Sequence, residues 1–253
     1  MEFFNKILVS FQDIPLIGVF AKLLEGLPVT LSLVFPSVII GALFAFVLAL
    51  MRLSNNIILS SISRLYVFLF RSIPLLVLLF LVYYGIPQFR KTLSYWGIYW
   101  IFQSAYICAI IAFIMNTAAY GSEIIRGALL SVPHGQIEAG RACGMSRFML
   151  MRRIIFPIAF RQALPGYSNE FILMVKSTAL VSVVTLVDMT QIAIEMRSKI
   201  PLENSTVLYC VGALYLAINY SIAWIFKIIE YHFSSHLRDP NIVQTPPPLA
   251  QSL

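Results

Sequence analysis

Residues 26–51 read GLPVTLSLVFPSVIIGALFAFVLALM, a run of 26 positions without a charged side chain between Glu25 and Arg52. A helix needs about 20 apolar residues to cross the hydrocarbon core of a bilayer. In lipid its backbone polar groups must be satisfied within the segment, which a helix achieves and an open strand does not. The run therefore predicts a membrane-spanning helix, and it has companions. Uncharged stretches of 18, 31 and 23 residues separate Arg71 from Arg90, Lys91 from Glu123, and Glu203 from Lys227. The spans expected from them are Val29–Met51, Ile62–Tyr84, Phe102–Tyr120 and Val207–Ile229. A fifth, Leu164–Val187, carries Glu170 and Lys176 and is weaker on hydropathy. The fold class read from this is an all-α membrane protein with five transmembrane helices.

Composition points the same way. The 253 residues are 59% hydrophobic and 11% charged, with a mean hydropathy of +0.85. Soluble domains carry about a quarter charged residues, so this chain lacks the ionic surface a water-soluble enzyme needs. It is equally too apolar for disorder.

The charge is distributed unevenly between the loops. Residues 1–28, 85–101 and 188–206 together net zero, whereas 52–61, 121–163 and 230–253, with the boundary residues Arg64 and Lys227, net +6. Lysine and arginine accumulate on the cytoplasmic side of spans. The N-terminus is therefore expected outside and the C-terminus inside. The overall charge of +7 reports topology and anionic lipid rather than nucleic acid. Cys108, Cys143 and Cys210 are too scattered for a disulfide framework or a metal site. Residues 1–25 lack the basic start and cleavage site of a signal peptide. Ile14–Leu24 reads either as an interfacial amphipathic helix or as a lead-in to the first span, and Thr245–Leu253 with its three prolines as a disordered tail.

Catalytic signatures are missing. No glycine precedes a lysine, so the chain has no phosphate-binding G-x-x-x-x-G-K-[ST] loop, and H-E-x-x-H and G-x-S-x-G are also absent. Any nucleotide-derived energy must come from another chain. His232 and His236 have the i, i+4 spacing of a metal pair, but no third ligand lies near them in sequence, so they read as interfacial side chains.

One long polar stretch, Gly121–Gln162, separates the third and fourth spans. Within it Glu138-Ala139-Gly140 is followed after three residues by Gly144, after nine more by Ile154, and after one more by Phe156-Pro157. This arrangement resembles the E-A-A-x3-G-x9-I-x-L-P loop of ABC importer permeases, with Gly140 in place of the second alanine and Phe156 in place of leucine. A short helix bracketed by Pro133 and Gly144 would form a rigid lever able to lie in a partner's groove. Arg141 and Arg147 would orient it electrostatically, and Glu138 near its start would suit the helix dipole.

Other segments resemble the amino-acid permeases of that family. They are Phe70-Arg71-Ser72-Ile73-Pro74-Leu75, Asn116–Tyr120, Ser131–Gln136, Ala163–Glu170 and Lys176–Leu180. The likeness covers about residues 26–230 and is strongest to the M-type permeases of histidine/lysine/arginine/ornithine and opine uptake systems. It implies a type I importer permease fold in three parts: a periplasmic or interfacial segment 1–26, a transmembrane domain 27–230 with a coupling loop at about 133–157, and a cytoplasmic tail 231–253. It also implies a multi-pass protein of the bacterial inner membrane. Its partners would be a homologous second permease, two ATP-binding cassette subunits and a periplasmic solute-binding protein. This chain itself would hold no cofactor, ATP and Mg residing on the ATPase. The coupling residues would be Glu138, Ala139, Gly140, Gly144, Ile154 and Pro157.

Ionisable residues within spans are costly and mark function or a specific partner. Glu170 and Lys176 are six apart, about 240° around a helix, so they are not neighbours of the i, i+3 or i, i+4 kind. Glu170 is expected either to pair structurally with Arg71 or, with Asn169, to face a pathway and meet a substrate ammonium or guanidinium. Lys176 would lie beside that pathway or bridge to the second permease. Asn116 and Tyr120 read as interhelical hydrogen-bonders or ligand contacts, and Pro28, Pro36 and Pro74 as tolerated helix breaks. The function expected is a transport subunit for basic amino acids or opines. The rival is a membrane scaffold or sensor that docks a cytoplasmic regulator.

Overall fold

The computed structural model describes residues 16–199 and 205–233, and every regular element among them is helical. The expected segment before residue 16, the tail with Thr245–Leu253, and His236 lie outside the described residues. In chain order the helices are α1 (Leu16–Leu24), α2 (Leu27–Arg52), α3 (Ile57–Ser72), α4 (Leu75–Phe80), α5 (Arg90–Tyr95) and α6 (Ala105–Leu130). They continue as α7 (His134–Ala142), α8 (Arg147–Leu150), α9 (Phe156–Ser177), α10 (Met189–Lys199) and α11 (Ser205–Phe233). Wider or tighter turns at Leu81–Gly85, Ile86–Phe89, Met151–Ile155 and Thr178–Val184 join them.

Three stretches are long and apolar enough to span a membrane: Leu16–Arg52, Ala105–Leu130 and Thr206–Phe233. Two more qualify as bent pairs, Ile57–Ser72 with Leu75–Tyr95 at 103° and Arg147–Val184 with Met189–Ser198 at 50°. The described residues therefore hold three to five candidate spans. The uncharged run at 26–51 becomes α2, with Pro28 in its first turn and Pro36 absorbed within it. The expected span at Ile62–Tyr84 is broken at Pro74. That residue cannot donate a hydrogen bond and bars helical backbone in the residue before it; Ile73 is accordingly extended, at ψ 125°. In the other direction, helix extends further than hydropathy predicts. The segment Gly121–Leu130, expected as the start of the polar stretch, completes α6, its charges absorbed by a Glu123–Arg126 pair at i, i+3.

Helix α2 packs along α6, and α9 closes over both. Small residues allow the close approach typical of packing in lipid. A methyl group added at Gly41 would meet the Thr117 side chain at 2.8 Å, and one added at Gly121 would meet Tyr167 Oη at 2.9 Å and Ala45 Cβ at 3.0 Å. Cross-helix hydrogen bonds fix the register: Ser63 Oγ donates to the Leu48 carbonyl at 2.8 Å, Tyr106 Oη to Ser32 at 2.9 Å and Tyr66 Oη to Met115 at 3.1 Å. Each is worth about 0.6 kcal/mol in such an environment. The buried centre comprises Leu33, Val34, Leu79, Phe113, Val175 and Val181. Ile39, Leu43, Phe44, Val47 and Leu65 face outward, the apolar surface a lipid-facing helix requires.

A second cluster gathers α1, α10 and α11 around Leu23, Met189, Ala193 and Cys210. Helix α1 buries Val19 and Leu23 there, so it runs on towards α2 as a packed element. Gly26 makes this possible, because a Cβ at that position would lie 2.4 Å from the Met189 amide nitrogen.

Candidate functional site

Beside the break after α3 lies an open cleft of about 400 Å3 between α3, α6 and α9, with Arg71, Ser72 and Leu173 exposed at its rim. Non-helical backbone at membrane depth is tolerated where it lines such a space. Its walls carry Arg71 and Ser72 from the end of α3, Asn116 and Tyr120 from α6, and Glu170 and Ser177 from α9. Arg71 and Glu170, about a hundred residues apart in sequence, thus face one space.

They make no direct salt bridge, although the Arg71 charge still acts on the Glu170 carboxyl across the gap. Among the described residues no carboxylate lies within salt-bridge distance of Arg71, whose guanidinium sits 5.0 Å from the centre of the Tyr120 ring. Tyr120 Oη in turn makes a long contact of 3.5 Å with the Arg71 carbonyl. Glu170 is buried, and the Oδ1 atom of Asn116, itself 8% exposed, has no hydrogen-bond partner among the described residues. A buried polar atom without a partner costs about 1–3 kcal/mol. A cleft holding a buried carboxylate, a guanidinium within its electrostatic reach and an amide oxygen without a partner among the described residues has the groups to receive a ligand bearing both charges. Asn169 and Lys176 are exposed and do not line it, so of the four expected pathway residues it unites Arg71 and Glu170. Ser72 and Ser177, which lie within the resembling segments Phe70–Leu75 and Lys176–Leu180 but carry no role there, join through their placement beside the break and at the end of α9.

The second feature is the turn-back around α7. Pro133 precedes this helix, and Gly144 ends it with φ at +73°. The Gly144 amide donates to Arg141 O at 2.9 Å and the Met145 amide to Gly140 O at 3.1 Å. That pair of bonds is the Schellman C-terminal cap, for which glycine is favoured in the left-handed position. Gly140 faces the returning chain: a Cβ there would lie 2.6 Å from Leu150 Cδ1 and 2.8 Å from Ile154 Cδ1. The spacing of Gly140, Gly144 and Ile154 is therefore the arithmetic of a helix, a cap and a chain folded back upon it. Ala139, Gly140 and Ile154, with Gln136, Cys143 and Arg153, line one concavity of about 400 Å3. Glu138 is exposed at the fifth position of α7, beyond the first turn, where the dipole effect expected for it has faded. Pro157 opens α9.

A network that sequence reading missed lies towards the α2 end. Glu123 pairs with Arg52 across the α2–α6 interface and with Arg126 Nη2 at 2.8 Å. A charge at each helix end was visible in the sequence, but which ends meet depends on the bundle.

Comparison with known proteins places these features. Residues 27–234 match the model of the binding-protein-dependent transport system inner membrane component family, and the chain belongs to that family. It is 48% identical over 221 residues to the nopaline transport system permease protein NocM of Agrobacterium fabrum, covering 87% of this chain and 90% of that one. It is 39% identical over 212 residues to the histidine/lysine/arginine/ornithine transport system permease protein HisM of Salmonella typhimurium, covering 84% and 90%. Among solved structures, the crystal structure of an amino acid ABC transporter with histidines matches with a TM-score of 0.73 and 32% identity, over 84% of this chain and 94% of that one. The all-helical architecture is thus the permease fold of these importers.

Proposed function

We propose that this chain is one of two related permease subunits of an ATP-driven importer in a bacterial inner membrane, carrying a basic amino acid (histidine, lysine, arginine, ornithine) or a related opine. Five spans, counting each bent pair as one, put the N-terminus outside and α7 in the cytoplasm. A periplasmic binding protein delivers the solute, and two ATPase subunits hold ATP and Mg. The observation that carries the reading is the capped, projecting helix α7 with the chain folded back beneath it, within a family of transport components. Such a helix fits a groove of a partner domain, and closure of the ATPase pair would move it and switch access to the cleft. Within the cleft Glu170 receives the solute's ammonium or guanidinium, and Asn116 Oδ1 accepts a hydrogen bond from it. Glu138, Ala139, Gly140, Gly144, Ile154 and Pro157 form the coupling segment. The relatives' printed solutes support the substrate class, since opines of arginine and basic amino acids share a cationic end.

The test is reconstitution of the chain with its second permease, ATPase and binding protein in vesicles. Solute uptake that requires ATP, with ATPase activity stimulated by loaded binding protein, is the expected result. Stable docking of the ATPase without any solute flux would overturn the transport reading in favour of a scaffold.

A further inference from the structure

An apolar groove of about 580 Å3 runs between α2, α6, α9 and α11. Helix α11 packs against α9 and makes no comparable contact with α2, so a slot is left between the two. Its floor is buried, formed by Ala128 of α6 and by Ala159, Ala163 and Leu164 of α9. Its rim is exposed: Leu43 and Phe46 of α2, Phe156 and Phe160 of α9. The Phe160 ring lies 6.2 Å from that of Phe156 and 5.7 Å from that of Phe233 of α11, which fixes the rim in place. Leu43 also belongs to the outward face of α2 with Ile39, Phe44 and Val47, so the groove is continuous with the apolar surface that lipid covers. Water suits it poorly. Tyr167 Oη is the one hydroxyl of the lining, set beside Gly121 without a hydrogen-bond partner among the described residues, and water needs several polar partners to fill a cavity.

Depth and charge indicate the occupant. From Phe156 to Tyr167 the groove follows α9 for about 16 Å at 1.5 Å per residue. That is about half of a 30 Å hydrocarbon core, the depth of one leaflet. Exposed Arg152 precedes Phe156 by one turn, half-buried Arg161 follows Phe160, and exposed Lys227 follows Phe226. Among the described residues none of the three has a carboxylate within salt-bridge distance. Glu230, the one acid of α11, offsets Lys227, and no acid lies between Glu138 and Glu170 to offset the arginines. Guanidinium forks match the geometry of phosphate.

We propose that the groove binds an acyl chain of an anionic phospholipid from the cytoplasmic leaflet, whose phosphate is met by Arg152 and Arg161. Hydrocarbon covers the apolar floor, and the guanidiniums hold the headgroup at the membrane surface. The proposal rests on the topology given above, which places the start of α9 and the end of α11 on the cytoplasmic side, where anionic lipid attracts basic residues.

The assembled importer is purified, exchanged into detergent with equal phosphatidylglycerol and phosphatidylcholine, and examined by native mass spectrometry for retained lipid. The parent complex is expected to retain phosphatidylglycerol about tenfold over phosphatidylcholine. Arg152→Gln combined with Arg161→Gln is expected to abolish that preference, a loss of about 1.4 kcal/mol, while lipid of either kind is still held. Ala163→Phe, which fills the floor, is expected to lose both lipids; if it does not assemble, Ala159→Leu serves for the same reading. An unchanged preference in the double arginine variant, or full retention with the floor filled, overturns the proposal. So does a Phe160→Cys probe, in a Cys143→Ser background, that cross-links to the second permease, because a subunit then covers the groove. Impermeant labelling of a cysteine at Ser146 separates the two possible failures. Ready labelling in intact cells overturns the topology and the leaflet assignment together, whereas protection of that cysteine with no lipid preference in the parent complex removes the lipid site alone.

Discussion

Gly144 has no atom within 4 Å of where a Cβ would sit, so its requirement is conformational, set by φ at +73°. Left-handed backbone costs an ordinary residue about 1–2 kcal/mol, and asparagine less. Gly144→Val is therefore expected to fray the end of α7 and cut ATP-driven uptake several-fold with the protein still inserted, and Gly144→Asn to retain most of it. Equal uptake by both variants would detach the cap from coupling. Gly140 is different, because an added methyl meets the flexible tips of Leu150 and Ile154, so Gly140→Ala should be nearly silent. Arg71 makes no direct salt bridge to Glu170 and acts on it only across the cleft. Glu170→Gln is expected to leave assembly intact, as read by yield and gel filtration, and to lower uptake of cationic solutes at least about tenfold, the scale of one lost charged contact. A fall in yield regardless of solute would instead restore a structural role for the carboxylate.

The elements are joined by a few polar contacts that hydropathy does not announce. Asp188 is fully buried between the Thr178–Val184 turn and α10. Its Oδ1 accepts the Gln191 amide at 2.9 Å, capping α10, and its Oδ2 accepts from Tyr215 Oη of α11 at 3.2 Å. Thr190 Oγ1 lies 3.1 Å from the same phenol. Removing the carboxylate loses a cap, worth about 1 kcal/mol, and one of the two partners of the Tyr215 hydroxyl, a hydrogen bond to a charged group worth about 1.5 kcal/mol. Asp188→Ala is thus expected to lower stability by about 2 kcal/mol in thermal unfolding of the purified complex. Asp188→Asn keeps both acceptor possibilities only in part and should fall between. A melting temperature unchanged in Asp188→Ala would mean that apolar packing of Leu23, Met189 and Cys210 suffices to hold α10. The bend at Pro74 was written in the sequence as a proline, but its consequence was not. A kink becomes a cleft only because α6 and α9 stand beside it.

Across the whole molecule the orientation rests on charge. A cysteine at exposed Ser146 is expected to resist an impermeant reagent in intact cells, while one at exposed Ser198 reacts. Native Cys143 is itself exposed on the Ser146 side, so the probes belong in a Cys143→Ser background; Cys108 and Cys210 are buried. The reverse labelling pattern would invert the topology and move α7, the proposed coupling helix, to the wrong side of the membrane for an ATPase.

Hydropathy, charge and local spacing were enough to read the apolar runs that become α2 and α11, the cap that ends α7 and the family likeness, but not the break at Pro74 or the length of α6. Each feature that was legible depends on residues within a few turns of one another, as in the cap that joins Gly140, Arg141, Gly144 and Met145. The tertiary structure decided which charges meet. Arg71 lies against Tyr120, 49 residues away, rather than against Glu170, and Glu123 takes Arg52 from another helix. The physical reason is that a charge in an apolar bundle seeks whichever partner the packing brings within a few ångströms, and packing is set by the fit of small residues such as Gly41, Gly121 and Gly26 against distant side chains and backbone. Linear spacing along one helix carries no record of that fit.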